Sequence, residues 1–279
     1  MFHSVIRPPQ QNEIMDILVD VGNRRIKWAK SIDIAQFITG EYTLLQLEKL
    51  HHVINFTARE AKDEQSRQFL NEPKPNSVYV SCVGGKKAMP EIHKACQERW
   101  NIQPNYLTSS DCKAGIRNGY LDPQQLGVDR WLAMIAARQF IPNRPLLVID
   151  AGTAITIDYI DTIGLFEGGI IIPGLMTIME SLNQRAGLPT VDSNMTNKEH
   201  RILNNRDTHS AIVNGALHAV VSSIEIAIAE YREKTGKHLR TVITGGDASL
   251  INRVSKYSMI EFPNLVLIGL YIVTRDTDC

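Results

Sequence analysis

Residues 146–158 read LLVIDAGTAITID, and this stretch decides the fold. Leu146, Leu147, Val148 and Ile149 form a continuous apolar run of the kind that makes a fully buried strand. Asp150 closes the run, Gly152-Thr153 turns the chain, and Ile155 to Asp158 alternates as a return strand. Residues 15–28, MDILVDVGNRRIKW, repeat the unit: an apolar strand to Val21 that carries Asp20, a turn at Gly22-Asn23, then alternation through Ile26 and Trp28. Two copies of one strand, Asp-x-Gly, strand unit predict a duplicated α/β architecture. A boundary near Pro142–Arg144 gives halves 15–142 and 143–279, with residues 1–14 as an N-terminal overhang ahead of Met15.

The segments around these hairpins supply helices and further strands. From Leu126 to Phe140, the residues Val128, Trp131, Leu132, Ile135 and Ala136 share one face at helical spacing, and Pro142 stops the helix. Ala211–Arg232 reads as a long helix with Ile212, Ala216, Ala219, Val220, Ile224, Ala227 and Ile228 inward. A strand follows Gly168-Gly169 as far as Pro173-Gly174, and Thr241–Thr244 leads into Gly245-Gly246-Asp247. A terminal apolar segment, Leu265–Val273, contains Gly269.

Composition removes several function classes. The chain has 279 residues, 43% of them hydrophobic, with 30 Lys+Arg balanced by 30 Asp+Glu. Phosphate-backbone binding needs a basic surplus, so a nucleic acid partner is not expected. No apolar run approaches the ~20 residues that span a bilayer, so no membrane partner is expected either. The 4 cysteines, Cys82, Cys96, Cys112 and Cys279, lack C-x-x-C pairing and read as reduced thiols in a cytoplasmic protein. There is no G-x-x-x-x-G-K-[ST] loop, no H-E-x-x-H and no G-x-S-x-G elbow. What remains is a set of glycine-bearing turns after apolar strands, several with a carboxylate. Such turns bring backbone N–H groups to phosphates and a magnesium ion beside them. A strand-end Asp taken singly is more often a turn residue. Two matched copies reverse that preference.

The paired hairpin resembles the sugar kinase, heat-shock protein and actin superfamily. Within it, four blocks resemble the signature blocks of type III pantothenate kinase, in that family's order. They are Asp20-Val21-Gly22-Asn23 with Lys27, Leu126-Gly127-Val128-Asp129-Arg130-Trp131, Asp150-Ala151-Gly152-Thr153-Ala154 with Thr156 and Asp158, and Phe166-Glu167-Gly168-Gly169 with Ile172-Pro173-Gly174. Asn118-Gly119-Tyr120, Leu188-Pro189, Thr208 before Gly215, and Thr244-Gly245-Gly246-Asp247-Ala248 extend the similarity over nearly the whole chain.

The resemblance implies duplicated actin-like (ribonuclease H-like) domains with a nucleotide cleft between them. It implies transfer of the γ-phosphoryl of ATP to pantothenate, the first step of coenzyme A biosynthesis. By family position Asp129 is the general base, and Tyr120, Gly127, Val128, Asp129, Arg130 and Thr208 bind pantothenate. Asp20, Gly22, Asn23, Arg24, Lys27, Thr153, Gly245 and Gly246 bind ATP. Asp150 matches a contact to an activating monovalent cation, potassium or ammonium, and Asp20 a contact to magnesium, directly or through water. The resemblance also implies a cytoplasmic homodimer. At the start of a helix, Asp129 is expected to be kept ionised by the helix dipole. One position departs from the family: Arg24 stands where the first block carries Thr or Ser. The rivals are a non-catalytic regulatory relative and an actin-like kinase for another small hydroxy acid. The intact set Asp129, Arg130, Asp150 and Thr153 argues against the first.

Overall fold

Each Asp-x-Gly hairpin heads a five-stranded sheet in the computed structural model, which describes residues 15–23, 26–40, 52–54, 69, 71–83, 88–191 and 205–276. Residues 1–14 and Arg24 lie outside the described residues. The first sheet runs β3-β2-β1-β4-β5, from β1 (Ile17–Val21), β2 (Ile26–Lys30), β3 (His52–Ile54), β4 (Val78–Cys82) and β5 (Asn105–Tyr106). β1 pairs antiparallel with β2 and parallel with β4. A small hairpin, β6 (Cys112–Lys113) and β7 (Ile116–Arg117), stands apart from it. The second sheet repeats the order as β10-β9-β8-β11-β12, from β8 (Leu146–Ala151), β9 (Ala154–Ile160), β10 (Phe166–Pro173), β11 (Arg240–Thr244) and β12 (Ile260–Glu261). β8 is antiparallel to β9 and parallel to β11, so the duplication extends to strand direction.

In the first unit, pleat alternation divides the sheet's residues between two faces. Ile17, Val19, Val21, Val78 and Val80 pack with Ile92, Cys96 and Trp100 of α2 (Ala88–Trp100). Trp28, Phe69 and Trp100 meet edge to face there, with centroids 5.4 Å and 5.2 Å apart. Such pairs contribute about 0.5–1.5 kcal/mol each beyond their buried area. The other face packs against α7 (Leu265–Arg275), which also contacts α1 (Ser31–Ile38) and α3 (Val128–Phe140). Arg275 fastens α7 to the start of β1, its Nη1 standing 2.8 Å from Oδ2 of the buried Asp16. The other Asp16 oxygen accepts from Ser77 N–H.

In the second unit, Leu147, Ile149, Ala151, Ile155 and Ile157 pack beneath α4 (Leu175–Ala186), α5 (Thr208–Thr235) and Ile251 of α6 (Ala248–Val254). Among the described residues α5 is long and apolar enough to cross a membrane, with a mean hydropathy of 1.6 over its best window. It is a core helix: Ile212, Leu217, Val220, Ile224 and Ile228 are buried in this unit's core. Ala219, expected inward, is exposed, because the buried stripe runs through Leu217 and Val221 instead.

Two expectations are corrected. The chain does divide between Pro142 and Asn143, but the second unit ends at Phe262. Gly164–Phe166 and the chain from Pro263 belong to the first unit, so 143–279 is not one continuous half. The reason is α7, whose Leu265, Ile268, Leu270 and Tyr271 are buried and which packs on α3, β1 and β4. The reading of all cysteines as reduced thiols also fails. Cys82 and Cys96 are free, but Cys112 is disulfide-bonded. Linear spacing does not show which cysteines the fold brings within bonding distance.

Gly269 permits the α3–α7 contact. A Cβ at residue 269 would lie 2.0 Å from the Leu132 carbonyl oxygen, a backbone atom that has no rotamer to escape by. Gly269→Ala is therefore expected to destabilise the protein by at least about 1–3 kcal/mol, read as a lower Tm by circular dichroism. Gly215→Ala is the control: its Cβ would enter open space on α5, and alanine there leaves stability unchanged or raises it by up to ~1 kcal/mol.

Candidate active site

The first turn of α3 carries the densest group of chemically capable side chains. Gly127 precedes the helix as its N-cap, with no side chain to cap it. Asp129 Oδ1 accepts the Arg130 N–H at 2.7 Å, satisfying one donor of the open first turn. A Cβ at residue 127 would stand 2.7 Å from that same oxygen, so the glycine makes room for the carboxylate. Val128 faces inward and is buried.

Arg130 is 5% exposed, which is unusual for a guanidinium, and its surroundings explain how it is held. Its Nη1 donates to the Tyr120 hydroxyl at 2.9 Å, and its guanidinium carbon lies 5.7 Å from the ring centroids of both Tyr120 and Phe166. The two rings are 5.5 Å apart, tilted by 31°. Asn118 anchors Tyr120: its Oδ1 accepts from Tyr120 N–H, and its Nδ2 donates to the carbonyls of Ser110 and Pro123. Phe166 reaches the group on the short Gly164–Phe166 segment, where Arg117 N–H donates to Gly164 O at 2.9 Å. Sequence reading quoted Phe166 and Asn118 within blocks but gave neither a role.

Burial raises the Asp129 pKa above the usual carboxylate value; the Arg130 N–H bond and the Arg130 charge pull the other way and do not cancel it. The helix start is expected to favour the ionised form of Asp129; the net shift runs the other way. Desolvation outweighs the helix terminus because the carboxyl is largely removed from water.

The second turn, Asp150 to Thr153, is clamped through its backbone. Gly174 N–H donates to Thr153 O at 3.0 Å, Thr177 Oγ1 donates to the same oxygen at 2.6 Å, and Asp247 N–H donates to Ala151 O at 3.1 Å. Two glycines allow this approach. A Cβ on Gly174 would meet Gly152 O at 2.1 Å, and one on Gly245, whose φ is +100°, would meet Ala151 O at 2.4 Å. Asp150 pairs with Thr156 of β9 and Thr244 of β11, and Asp158 pairs with Val148. These polar residues lie on the face opposite the apolar core of Ile149 and Ala151. Gly246 is exposed beside Gly245.

The first turn has the same layout. Asp20 pairs with Lys27 of β2 and with Ser81 of β4, again opposite the apolar face, and Gly22 and Asn23 follow at the bend. Ser81 is fully buried and its hydroxyl has no hydrogen-bond partner among the described residues. Thr208 is grouped with none of these residues. It stands exposed at the first position of α5, after Asp207, whose carboxylate accepts from Ser210 N–H. Among the described residues no three His, Cys, Asp or Glu side chains converge on a common point.

The model of the type III pantothenate kinase family matches residues 17–230. A type III pantothenate kinase from Nitrosococcus oceani is 34% identical over 274 residues, covering 94% of this chain and 95% of its own. One from Herminiimonas arsenicoxydans is 35% identical over 266 residues, covering 94% and 98%. This chain belongs to the type III pantothenate kinase family. Its fold is α/β, with two five-stranded sheets of the same strand order. A solved structure from Campylobacter jejuni, named for the Baf family of transcriptional activators, shares the fold at a TM-score of 0.51 and 20% identity, over 91% of this chain and 94% of that one.

The family's blocks therefore fall where the structure builds geometry: at the head of α3 and at the two Asp-x-Gly turns. The electrostatics of Asp129 give a stability test. A carboxyl whose pKa is raised on folding stabilises the folded state while protonated, and that contribution is lost as pH rises through the raised value. The ionised form of Asp129 is thus the costly one in the folded protein. Asp129→Asn is expected to raise Tm near neutral pH, with the gap over the parent shrinking as pH falls. Thermal melts across pH check this; a lower Tm at neutral pH would show the carboxylate to be stabilising.

Proposed function

We propose that the protein transfers the γ-phosphoryl of ATP to the primary hydroxyl of pantothenate, giving 4'-phosphopantothenate, the first step of coenzyme A synthesis. The observation that carries this reading is the Asp129, Arg130 and Tyr120 group, built on the family's block at the head of α3.

Phosphoryl transfer asks little covalent chemistry of a protein; it asks for positioning and charge. Arg130 offers a donor fork to the pantothenate carboxylate, and Tyr120 and Phe166 hold that fork in one orientation. Asp129 orients the substrate hydroxyl and accepts its proton. The raised pKa makes it a better proton acceptor than a solvated carboxylate. Gly127 and Val128 complete the pantothenate side. Gly22, Asn23 and Lys27 take the ATP phosphates at the first turn, and Thr153 takes them at the second. Gly245 and Gly246 border the adenosine.

Asp20, with the buried hydroxyl of Ser81 in the adjoining strand, is a hard oxygen set that suits magnesium held directly or through water. When bound, magnesium neutralises phosphate charge. Asp150 contacts the activating monovalent cation, potassium or ammonium, with Thr156 and Thr244 alongside. The exposed Thr208 fits a pantothenate pocket completed in a homodimer. The enzyme works in the cytoplasm, where ATP is available, and the Cys112 disulfide is the feature that such a reducing compartment has to accommodate.

The deciding experiment measures ADP release with and without pantothenate, with the product identified by phosphorus NMR. Pantothenate-dependent ADP release is expected, and release independent of pantothenate would overturn the reading. Asp129→Asn is expected to lower kcat by roughly 10²–10⁴ with little change in ATP affinity. Replacing potassium with sodium is expected to raise KM for ATP; equal kinetics in the two salts would remove the cation from Asp150.

A further inference from the structure

Ser81 has a feature that neither packing nor the hydrogen-bond pattern of the fold requires. It is 0% exposed, and its Oγ is buried with no partner among the described residues. Leaving a hydroxyl in that state is unfavourable, and an alanine in its place would avoid the cost. The position of Ser81 suggests what offsets it. In the β1–β4 register Ser81 is directly opposite Asp20, and Asp20 is directly opposite Lys27 in the β1–β2 register. Residues in register on neighbouring strands project to the same side of a sheet, so Lys27, Asp20 and Ser81 form one row. The row lies on the face opposite the α2 core and at the carboxyl ends of the parallel strands β1 and β4, where open α/β sheets take their ligands.

The second sheet repeats the pattern. Thr156, Asp150 and Thr244 form the equivalent row, with a hydroxyl residue again one parallel strand away from the acid. The hydroxyl beside the Asp is thus a property of both copies of the duplicated unit, and in the first copy that hydroxyl has no partner among the described residues.

We propose that Ser81 is a positioning residue of the magnesium–nucleotide site: its hydroxyl bonds the Asp20 carboxylate or a water of the magnesium shell when Mg·nucleotide is bound. This rests on the reading of Asp20 as the magnesium-side carboxylate. It extends that reading to a strand, β4, on which no site residue was expected. Because the hydroxyl has no partner among the described residues, removing it should weaken ligand binding without weakening the fold.

The experiment is calorimetric titration of the full chain with Mg·ADP and, in EDTA, with ADP alone, alongside thermal melts of each ligand-free protein. For Ser81→Ala we expect Mg·ADP affinity to fall about ten- to a hundred-fold, the loss of one hydrogen bond to a charged group. Metal-free ADP affinity should stay within about twofold of the parent, and Tm should be equal or higher. Should Ser81→Ala not fold, Ser81→Cys, similar in volume but a weak donor, is read by the same titrations with the same expectation. Mg·ADP affinity within twofold of the parent overturns the proposal. So does an equal loss of metal-free ADP affinity, or a lower Tm, which would give the hydroxyl a role in the fold itself. Failure of the kinase reading is separable: a parent that binds Mg·ADP but does not phosphorylate pantothenate refutes that reading and leaves Ser81 to be judged on binding.

Discussion

The contact of Gly269 with the Leu132 carbonyl is the constraint on which the first unit depends. Helix axes normally stand 8–10 Å apart, and a side chain at residue 269 would push α7 off α3. With glycine there, α7 lies against α3, β1 and β4 together. The head of α3 is then fixed relative to the carboxyl ends of β1 and β4. Asp129 and Arg130 sit at that head, and Asp20 and Ser81 at those strand ends. A hydrogen atom in place of a methyl thus ties the arrangement of the Asp129 carboxylate to a segment that follows it by well over a hundred residues in the chain.

The second unit solves the same problem by clamping a turn. Gly174 and Gly245 let two other segments approach the backbone of Ala151-Gly152-Thr153 closely enough to hydrogen-bond it. A turn held by Gly174, Thr177 and Asp247 has few alternative conformations. Site and stability pull in opposite directions at two positions. Asp129 carries a carboxyl whose ionisation burial opposes, and Ser81 keeps a buried hydroxyl with no partner among the described residues. Both are destabilising locally, and both lie beside an Asp or Arg of the proposed site, where such costs are expected to gather.

The hairpins at Asp20 and Asp150, the helix at the Gly127–Arg130 block and the long helix after Thr208 were legible because each is coded by near neighbours: an apolar run, a Gly turn, or apolar residues at helical spacing. The role of Phe166 was not legible. It lies 36 residues beyond Arg130, and its contact with that guanidinium exists only because Gly164–Phe166 is drawn into the first unit. The membership of α7 was hidden for the same reason, since its sequence shows an apolar segment and not the partner that will bury it.

The sequence by itself determined the duplicated α/β pattern, the position of both acidic turns and the family to which their blocks belong. Those features rest on local propensity and on spacing along the chain. Only the tertiary structure decided that Asp129 is buried enough to raise its pKa, that Arg130 is held by two rings and a hydroxyl, that Pro263 onward returns to the first unit, and that Ser81 faces Asp20 without a partner. Desolvation, strand register and backbone approach are set by segments distant in the chain, and no local pattern encodes which of them will meet.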